Sequence, residues 1–222
     1  MTLHLYAVAE HGVELPPVDG IDGASLRCVQ VDDLDAIVSD VDGATSPTDA
    51  AVLTHAAVVD AVAAAADAVL PARFGSGFEQ EGAVATEVGA RRDELLRALE
   101  RVRGCVELGV RALVGDVAAA EDTGATDSGR TYMLARLERV RAGERLCADL
   151  DSALAPVARA ASSSVVGSEP LVVTGAYLVP RGDIDAFQGR VDDLHRERPE
   201  LTLICTGPWP PYSFATVDAA RS

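Results

Sequence analysis

Apolar and polar residues alternate at the start of the chain. Leu3, Leu5 and Ala7 fall on one side and His4, Tyr6 and Val8 on the other, which predicts a strand over Leu3–Ala9. A turn-rich stretch, Pro16 to Gly23, follows. Leu26–Val31 and Ala36–Val41 predict two more short strands, with Asp32-Asp33-Leu34-Asp35 as a hairpin connection. The period then changes. Pro47-Thr48-Asp49 opens a helix that runs to about Asp67, and ten of the twenty residues from Ala50 to Val69 are alanine. Leu53, Ala57, Val58, Ala61 and Ala65 give this helix a narrow face suited to close packing. Leu70–Phe74 reads as a short strand or an extended edge segment. Val84, Val88, Leu95, Leu99 and Val102 recur at helical spacing and predict one long helix over Glu79–Arg103, ended by Gly104. Glu87 with Arg91 and Asp93 with Arg97 form i,i+4 pairs on its wet face.

The second half repeats the mixture. Cys105–Val114 predicts a strand with Val106, Leu108 and Val110 on one face and Glu107, Gly109 and Arg111 on the other. Gly115–Gly129 is acidic and rich in small residues, and reads as a flexible loop. A helix over Arg130–Ala161 has the stripe Met133, Leu137, Val140, Cys147, Leu150 and Leu154, with bends expected near Gly143 and Pro156. Ser162-Ser163-Ser164 and Gly167 break it. Leu171–Val179 predicts a strand. Asp183 caps a helix with the face Ile184, Phe187, Val191 and Leu194, Pro199 stops it, and Leu201–Thr206 closes the chain's regular structure. Strands followed by helices in this order predict an α+β protein with two layers per unit. The expected cut near Gly104 divides it into 1–103 and 104–222. No internal repeat relates the halves.

Charge changes the picture of partners. The formal net charge is −16, and all nineteen basic residues are arginine. This balance argues against nucleic acid and against anionic membrane surfaces, which are held by clustered positive charge. Its simplest role is to keep the chain soluble. Aromatics are only 4%, so the core must be built from Ala, Val and Leu. Cys28, Cys105, Cys147 and Cys205 lie in apolar runs and form no CxxC pair, as expected of buried thiols in a reducing compartment. No signal peptide is seen. The longest apolar candidate for a membrane span, Ala56–Leu70, is broken by Asp60 and Asp67. The expected location is the cytoplasm.

Candidate chemistry is sparse. His4, His11, His55 and His195 are the possible bases, but no Gly-x-Ser-x-Gly elbow accompanies them. HExxH and CxxC patterns are absent, so neither a metal nor a cofactor is expected. Phe74-Gly-Ser-Gly-Phe78 looks like the start of a phosphate loop, yet it lacks the third glycine of a dinucleotide motif and any P-loop lysine. A tight strand-to-helix turn accounts for both glycines. The expectation is a non-enzymatic protein.

The end of the chain is the most distinctive part. In Gly207-Pro208-Trp209-Pro210-Pro211-Tyr212 the prolines lock φ and remove backbone donors, which argues against a regular strand or helix there. The segment presents Trp209, Tyr212 and Phe214 in a preset arrangement. It either plugs a core edge or contacts a partner, and the two roles are compatible.

The string from Leu201 to Phe214 resembles the C-terminal signature of the GvpL/GvpF family of gas vesicle proteins. Leu70-Pro71-Ala72-Arg73-Phe74-Gly75 is similar to that family's Leu-Pro-x-Arg-Phe-Gly segment. Gly104-Cys-Val-Glu107-Leu-Gly-Val resembles its Gly-x-x-Glu-x-x-Val pattern, and Gly129-Arg-Thr-Tyr132 resembles the start of its long helix. The resemblance implies two small domains, each a variant of the ferredoxin-like sandwich. It implies an accessory protein whose partners are the hydrophobic gas vesicle shell subunit and other gas vesicle accessory proteins. Leu70, Pro71, Gly75, Glu107, Tyr132, Gly207, Pro208, Pro210 and Pro211 form the shared structural signature. Arg73 is a candidate ion-pair partner of Glu107, which would tie the domains together, and also a candidate anchor for a partner. The expected contact surface is Arg73, Phe74, Trp209, Tyr212 and Phe214, with an exposed sheet edge as the other candidate. The competing class is an enzyme or small-ligand binder on the same scaffold, which predicts a deep pocket with converging His, Cys or carboxylate groups.

Overall fold

The structure is a computed structural model that describes residues 2–43, 45–114, 129–168 and 171–215, with the backbone alone at 129–132, 135, 167 and 168. The expected loop at 115–128 lies outside the described residues. The chain divides into two compact units, Met1–Val106 with Trp209–Ser222, and Glu107–Pro208.

The first unit is built on an antiparallel sheet. Strand β1 (Thr2–Glu10) lies between β3 (Leu34–Val41) and β4 (Val69–Pro71), with β2 (Arg27–Val31) outside β3 and β5 (Gly77–Phe78) also on β1. Residues 3–9 are all buried, so both faces of β1 are covered. A register shift between Leu5 and Ala7 interrupts the expected alternation, and Tyr6 and Ala7 enter the same core cluster. The β2–β3 turn is only Asp32-Asp33, with Asp32 at φ 52°. Leu34 and Asp35, expected in the connection, are instead buried strand residues. Asp35 accepts hydrogen bonds from His11 Nδ1 (3.1 Å) and Gly12 N (2.8 Å), which fasten the end of β1.

Helix α1 (Asp49–Ala65) starts where Thr48 accepts from the Ala51 amide at 3.2 Å. Its buried residues are His55, Val58, Val59 and Val62. This corrects the expected packing face: Val58 is buried, whereas Leu53, Ala57 and Ala65 face solvent. The expected long helix is two, α2 (Glu81–Ala90) and α3 (Arg92–Val102), broken at Arg91 (φ −108°, ψ 11°). The two halves have different targets, since α2 packs on β2 and α3 on β4 and β1. One straight rod could not reach both. All five stripe residues predicted for the long helix are buried.

Across the second unit the chain runs β6 (Cys105–Val114), α4 (Gly129–Leu154), β7 (Ala160–Ser168), β8 (Leu171–Pro180), α5 (Ile184–Glu197), β9 (Leu201–Trp209), with strand order β7-β8-β6-β9, the end residues Cys105, Val106 and Trp209 of these strands being grouped with the first unit. This β-α-β-β-α-β order is the ferredoxin-like arrangement. The first unit has the same spatial order, β2-β3-β1-β4, but its first crossover carries only a 3-10 turn, Ile21–Gly23, in place of a helix. Leu108, Val110, Leu154, Tyr177, Phe187 and Val191 share one core cluster of the second unit.

Three expectations fail here for identifiable reasons. Helix α4 ends at Leu154 because Pro156 has no N–H to continue it. The serine-rich stretch expected to break the helix is strand β7, ordered by its ladder with β8 from Ala160↔Leu178 to Ser168↔Leu171. At Gly143, within the unbroken α4, a Cβ would sit 2.7 Å from Val165 Cγ2, so the glycine permits close helix–strand approach. Strand β9 runs on through Gly207 and Pro208 to Trp209, beyond the expected end at Thr206. It is an edge strand, where a missing donor is tolerated.

Candidate functional site

The Leu-Pro-x-Arg-Phe-Gly motif forms an arch at the edge of β1. Val69–Pro71 pairs with Ala7–Ala9, and Gly77–Phe78 pairs with Leu3 and His4 farther along the same strand. Between them residues 72–76 loop out, pinned by Ala72 N donating to Tyr6 O (2.8 Å) and Leu5 N donating to Ser76 O (2.9 Å). Gly75 sits at φ +87°, a left-handed conformation that side chains resist, so the glycine belongs to the turn and not to a phosphate cradle. Leu70 and Pro71 are buried, Arg73 is exposed, and Phe74 is half-buried.

Phe74 covers a buried histidine pair. His4 Nε2 lies 2.8 Å from His55 Nδ1, and His55 Nε2 lies 3.1 Å from Ala72 O. A carbonyl only accepts, so His55 carries its proton on Nε2. Its Nδ1 therefore accepts from His4 Nε2–H, and His4 Nδ1 accepts from the Thr45 hydroxyl at 3.2 Å. The Phe74 ring centroid lies 5.6 Å from that of His4 and 5.7 Å from that of His55. Burial, then the neighbouring His55, holds His4 down at about 4, and burial also lowers His55. Both rings are neutral at pH 7. The pair fixes the arch to α1 and offers solvent no base.

The C-terminal segment divides its labour by residue. Pro210, Pro211 and Phe214 are buried, whereas Trp209 is 51% exposed and Tyr212 38%. The Gly207–Pro208 peptide is cis. A 3-10 turn over Tyr212–Phe214 is closed by Tyr212 N donating to Pro210 O (2.8 Å) and Phe214 N to Pro211 O (3.1 Å). Arg101 of α3 donates to the Phe214 carbonyl. The Tyr212 phenol is pushed up to about 12, first by partial burial and then by the Asp60 carboxylate of α1. The tail is therefore held against α3 through Phe214 and lies close to α1 at Tyr212.

Helix α1 extends this surface. Apart from Asp49, Thr54, His55 and Asp60, every residue of α1 is Ala, Val or Leu. Leu53, Ala57, Asp60 and Ala64 follow i, i+4, i+7, i+11 spacing and lie on its outer face. Leu53 is 70% exposed. Trp209, Tyr212 and Leu53 are thus exposed apolar groups of one unit, with Asp60 the carboxylate beside Tyr212. The nearly uniform apolarity of the helix leaves its sequence silent on which side meets the sheet.

Arg73, Phe74, Trp209, Tyr212 and Phe214 all belong to the first unit. Phe74 joins the histidine pair, while Tyr212 and Phe214 lie by α1 and α3. Gly207 and Pro208 belong to the last residues of the second unit, and Glu107 opens that unit. The side chain of Tyr132 lies outside the described residues. No group of three or more His, Cys, Asp or Glu residues able to hold a metal ion occurs among the described residues. No described helix is long and apolar enough to cross a membrane. A surface hollow of about 330 Å³ at the α2–α3 junction is lined by Gly89 to Glu94 and Arg97, with no His or Cys in its wall.

Comparison with known proteins places this geometry. The crystal structure of the gas vesicle protein GvpF from Microcystis aeruginosa matches with a TM-score of 0.80 over 97% of this chain and 99% of that one, at 17% identity. That of GvpF from Anabaena sp. PCC7120 gives 0.79 over 100% and 98%, at 19% identity. At such identities the likeness is one of fold. Gas vesicle protein F2 of Halobacterium salinarum is 32% identical over 148 residues, 67% of this chain and 59% of that protein. Gas vesicle protein L of Streptomyces sp. (strain CB03234) is 31% identical over 170 residues, 67% of this chain and 62% of that protein. The chain matches about three fifths of the length of these relatives, which are named as gas vesicle proteins and not as enzymes. A family profile described as gas vesicle synthesis protein GvpL/GvpF matches residues 2–216, so the chain belongs to the GvpL/GvpF family of gas vesicle proteins.

Proposed function

We propose that this protein is an assembly factor that binds the small hydrophobic gas vesicle shell subunit, limits its aggregation, and assists vesicle formation, with retention as a minor wall component as an end state. It acts in the cytoplasm, alone or with other gas vesicle accessory proteins, and performs no bond chemistry. A shell subunit awaiting assembly carries exposed apolar surface and strand edges, which invite aggregation. The observation that carries the reading is the exposed pair Trp209 and Tyr212, held by buried Pro210, Pro211 and Phe214. Rigid aromatics lose little entropy on contact. The neighbouring outer face of α1 adds apolar area, and Arg73 stands exposed on the arch as a further contact. The net charge of −16 opposes co-aggregation of the resulting complexes.

The test is capture of separately expressed shell subunit by immobilised protein. Replacing Trp209 by Ala is expected to weaken capture about 10-fold or more while leaving thermal unfolding unchanged. Undiminished capture by a Trp209→Ala, Tyr212→Ala double variant would remove this surface from the reading. Absence of capture by the intact protein would remove the reading itself.

A further inference from the structure

The amino-terminal half of α4 has an exposed apolar stripe of its own. Met133, Leu134, Leu137 and Val140 are all exposed. Met133, Leu137 and Val140 follow i, i+4, i+7 spacing and line one side of the helix. The sheet covers α4 only farther on: Gly143 meets Val165 of β7 and Leu171 of β8, and Leu146, Leu150 and Leu154 are buried. From Gly129 to Gly143 the helix extends about 20 Å at 1.5 Å per residue, away from the turn that meets Val165 and Leu171.

Charge says what would cover the stripe. Five of the chain's nineteen arginines fall at 130, 136, 139, 141 and 145, against two acids, Glu138 and Glu144. In a chain of net charge −16 this is a local reversal of sign. At 100° per residue, Arg136 borders the stripe on one side and Arg141 on the other, with Arg145 beyond Arg141, while Glu144 continues the line of the stripe one turn past Val140. Arg136, Arg141 and Arg145 are exposed. A second α4 laid on this face would bring arginine against arginine, which disfavours a symmetric pairing. We infer that the amino-terminal half of α4 is a docking surface for a partner's amphipathic helix whose apolar stripe is bordered by Asp and Glu. Apolar contact would supply the burial, and the arginine rails would set partner choice and speed encounter.

The probe is a fluorescein-labelled helical peptide of about 18 residues, with Leu at i, i+3, i+4, i+7 and Glu on both flanks. Its twin has Lys in place of every Glu. Anisotropy titration of the full chain is expected to show the acidic peptide binding at least about 10-fold tighter than the basic twin. Binding should weaken as salt rises from about 0.05 to about 0.5 M. Leu137→Glu is expected to abolish binding, and Arg136→Glu with Arg141→Glu to invert the preference between the twins. These positions are exposed, so circular dichroism melts should match the parent. Equal binding of both peptides, or binding indifferent to Leu137→Glu, overturns the inference. So does failure of the acidic peptide to bind, or a dimer of the chain that Leu137→Glu dissociates.

Discussion

Each unit buries a tyrosine whose hydroxyl is tied to serine. Tyr6 lies 2.9 Å from Ser39 Oγ and accepts from Ile21 N at 2.8 Å. Tyr177 and Ser163 both donate to Asp151 Oδ1, at 2.8 and 2.6 Å. Burial pushes the Tyr177 hydroxyl well above the usual tyrosine range, which keeps it a donor. Gly175 leaves room for this cluster, since a Cβ there would sit 2.7 Å from both Ser163 Oγ and Tyr177 Cε2. Gly175→Ala is therefore expected to cost about 2 kcal/mol, by displacing the ring and its bond, read from urea midpoints. The histidine pair gives a second residue-scale prediction. His4 has a folded pKa of about 4 against an ordinary 6.5, so acid favours the unfolded chain. Stability is fully present above pH 6.5 and falls as pH drops toward 4, by about 3 kcal/mol at 1.36 kcal/mol per unit. Glu10 and Glu94 are held below the ordinary carboxylate value by Arg103 and Arg91, so their losses come lower on the pH scale. A stability flat between pH 7 and 5 in urea titrations would contradict the neutral pair.

At the scale of elements, the C-terminal tail and α1 separate anchoring from display. Phe214 is buried and Trp209 is not. Phe214→Ala is expected to cost about 3 kcal/mol and to lower the thermal midpoint, whereas Trp209→Ala should leave the midpoint within about 1 kcal/mol of parental stability. Equal losses from both would show that Trp209 is a plug. Much of this level was legible beforehand. The period-two and period-3.6 stretches marked most strands and helices, because they bury one face against a layer. Strand β7 was not legible, since Ala160–Ser168 is mostly Ala and Ser with no alternation, and only pairing with β8 orders it. The α2–α3 break was hidden because all five apolar positions kept a nearly helical spacing. Trp209, Tyr212 and their prolines could be singled out from sequence; the exposed Leu53 face of α1 and the His4–His55 pair could not, as both depend on which side of α1 meets the sheet.

At the scale of the molecule, charge and apolar surface act against each other. The net charge of −16 keeps like molecules apart, while Leu53, Trp209 and Tyr212 remain available for contact. Salt shortens the reach of that repulsion to about 3 Å near 1 M. Suppression of shell-subunit aggregation, followed by light scattering, is therefore expected to weaken as salt rises, without a matching change in the thermal midpoint. Suppression independent of salt would assign the effect to apolar contact alone.

Composition and local pattern, without coordinates, determined the α+β class, the stiff aromatic terminus, the glycine turn after Phe74 and the resemblance to one family. Each of these follows from period, from proline and glycine geometry, or from a contiguous motif. Tertiary structure alone decided which apolar faces are covered: α1 turns Leu53 outward, α4 leaves Met133, Leu137 and Val140 exposed, and two histidines 51 residues apart in sequence meet. Burial depends on what lies opposite a side chain, and that neighbour is set by the path of the whole chain.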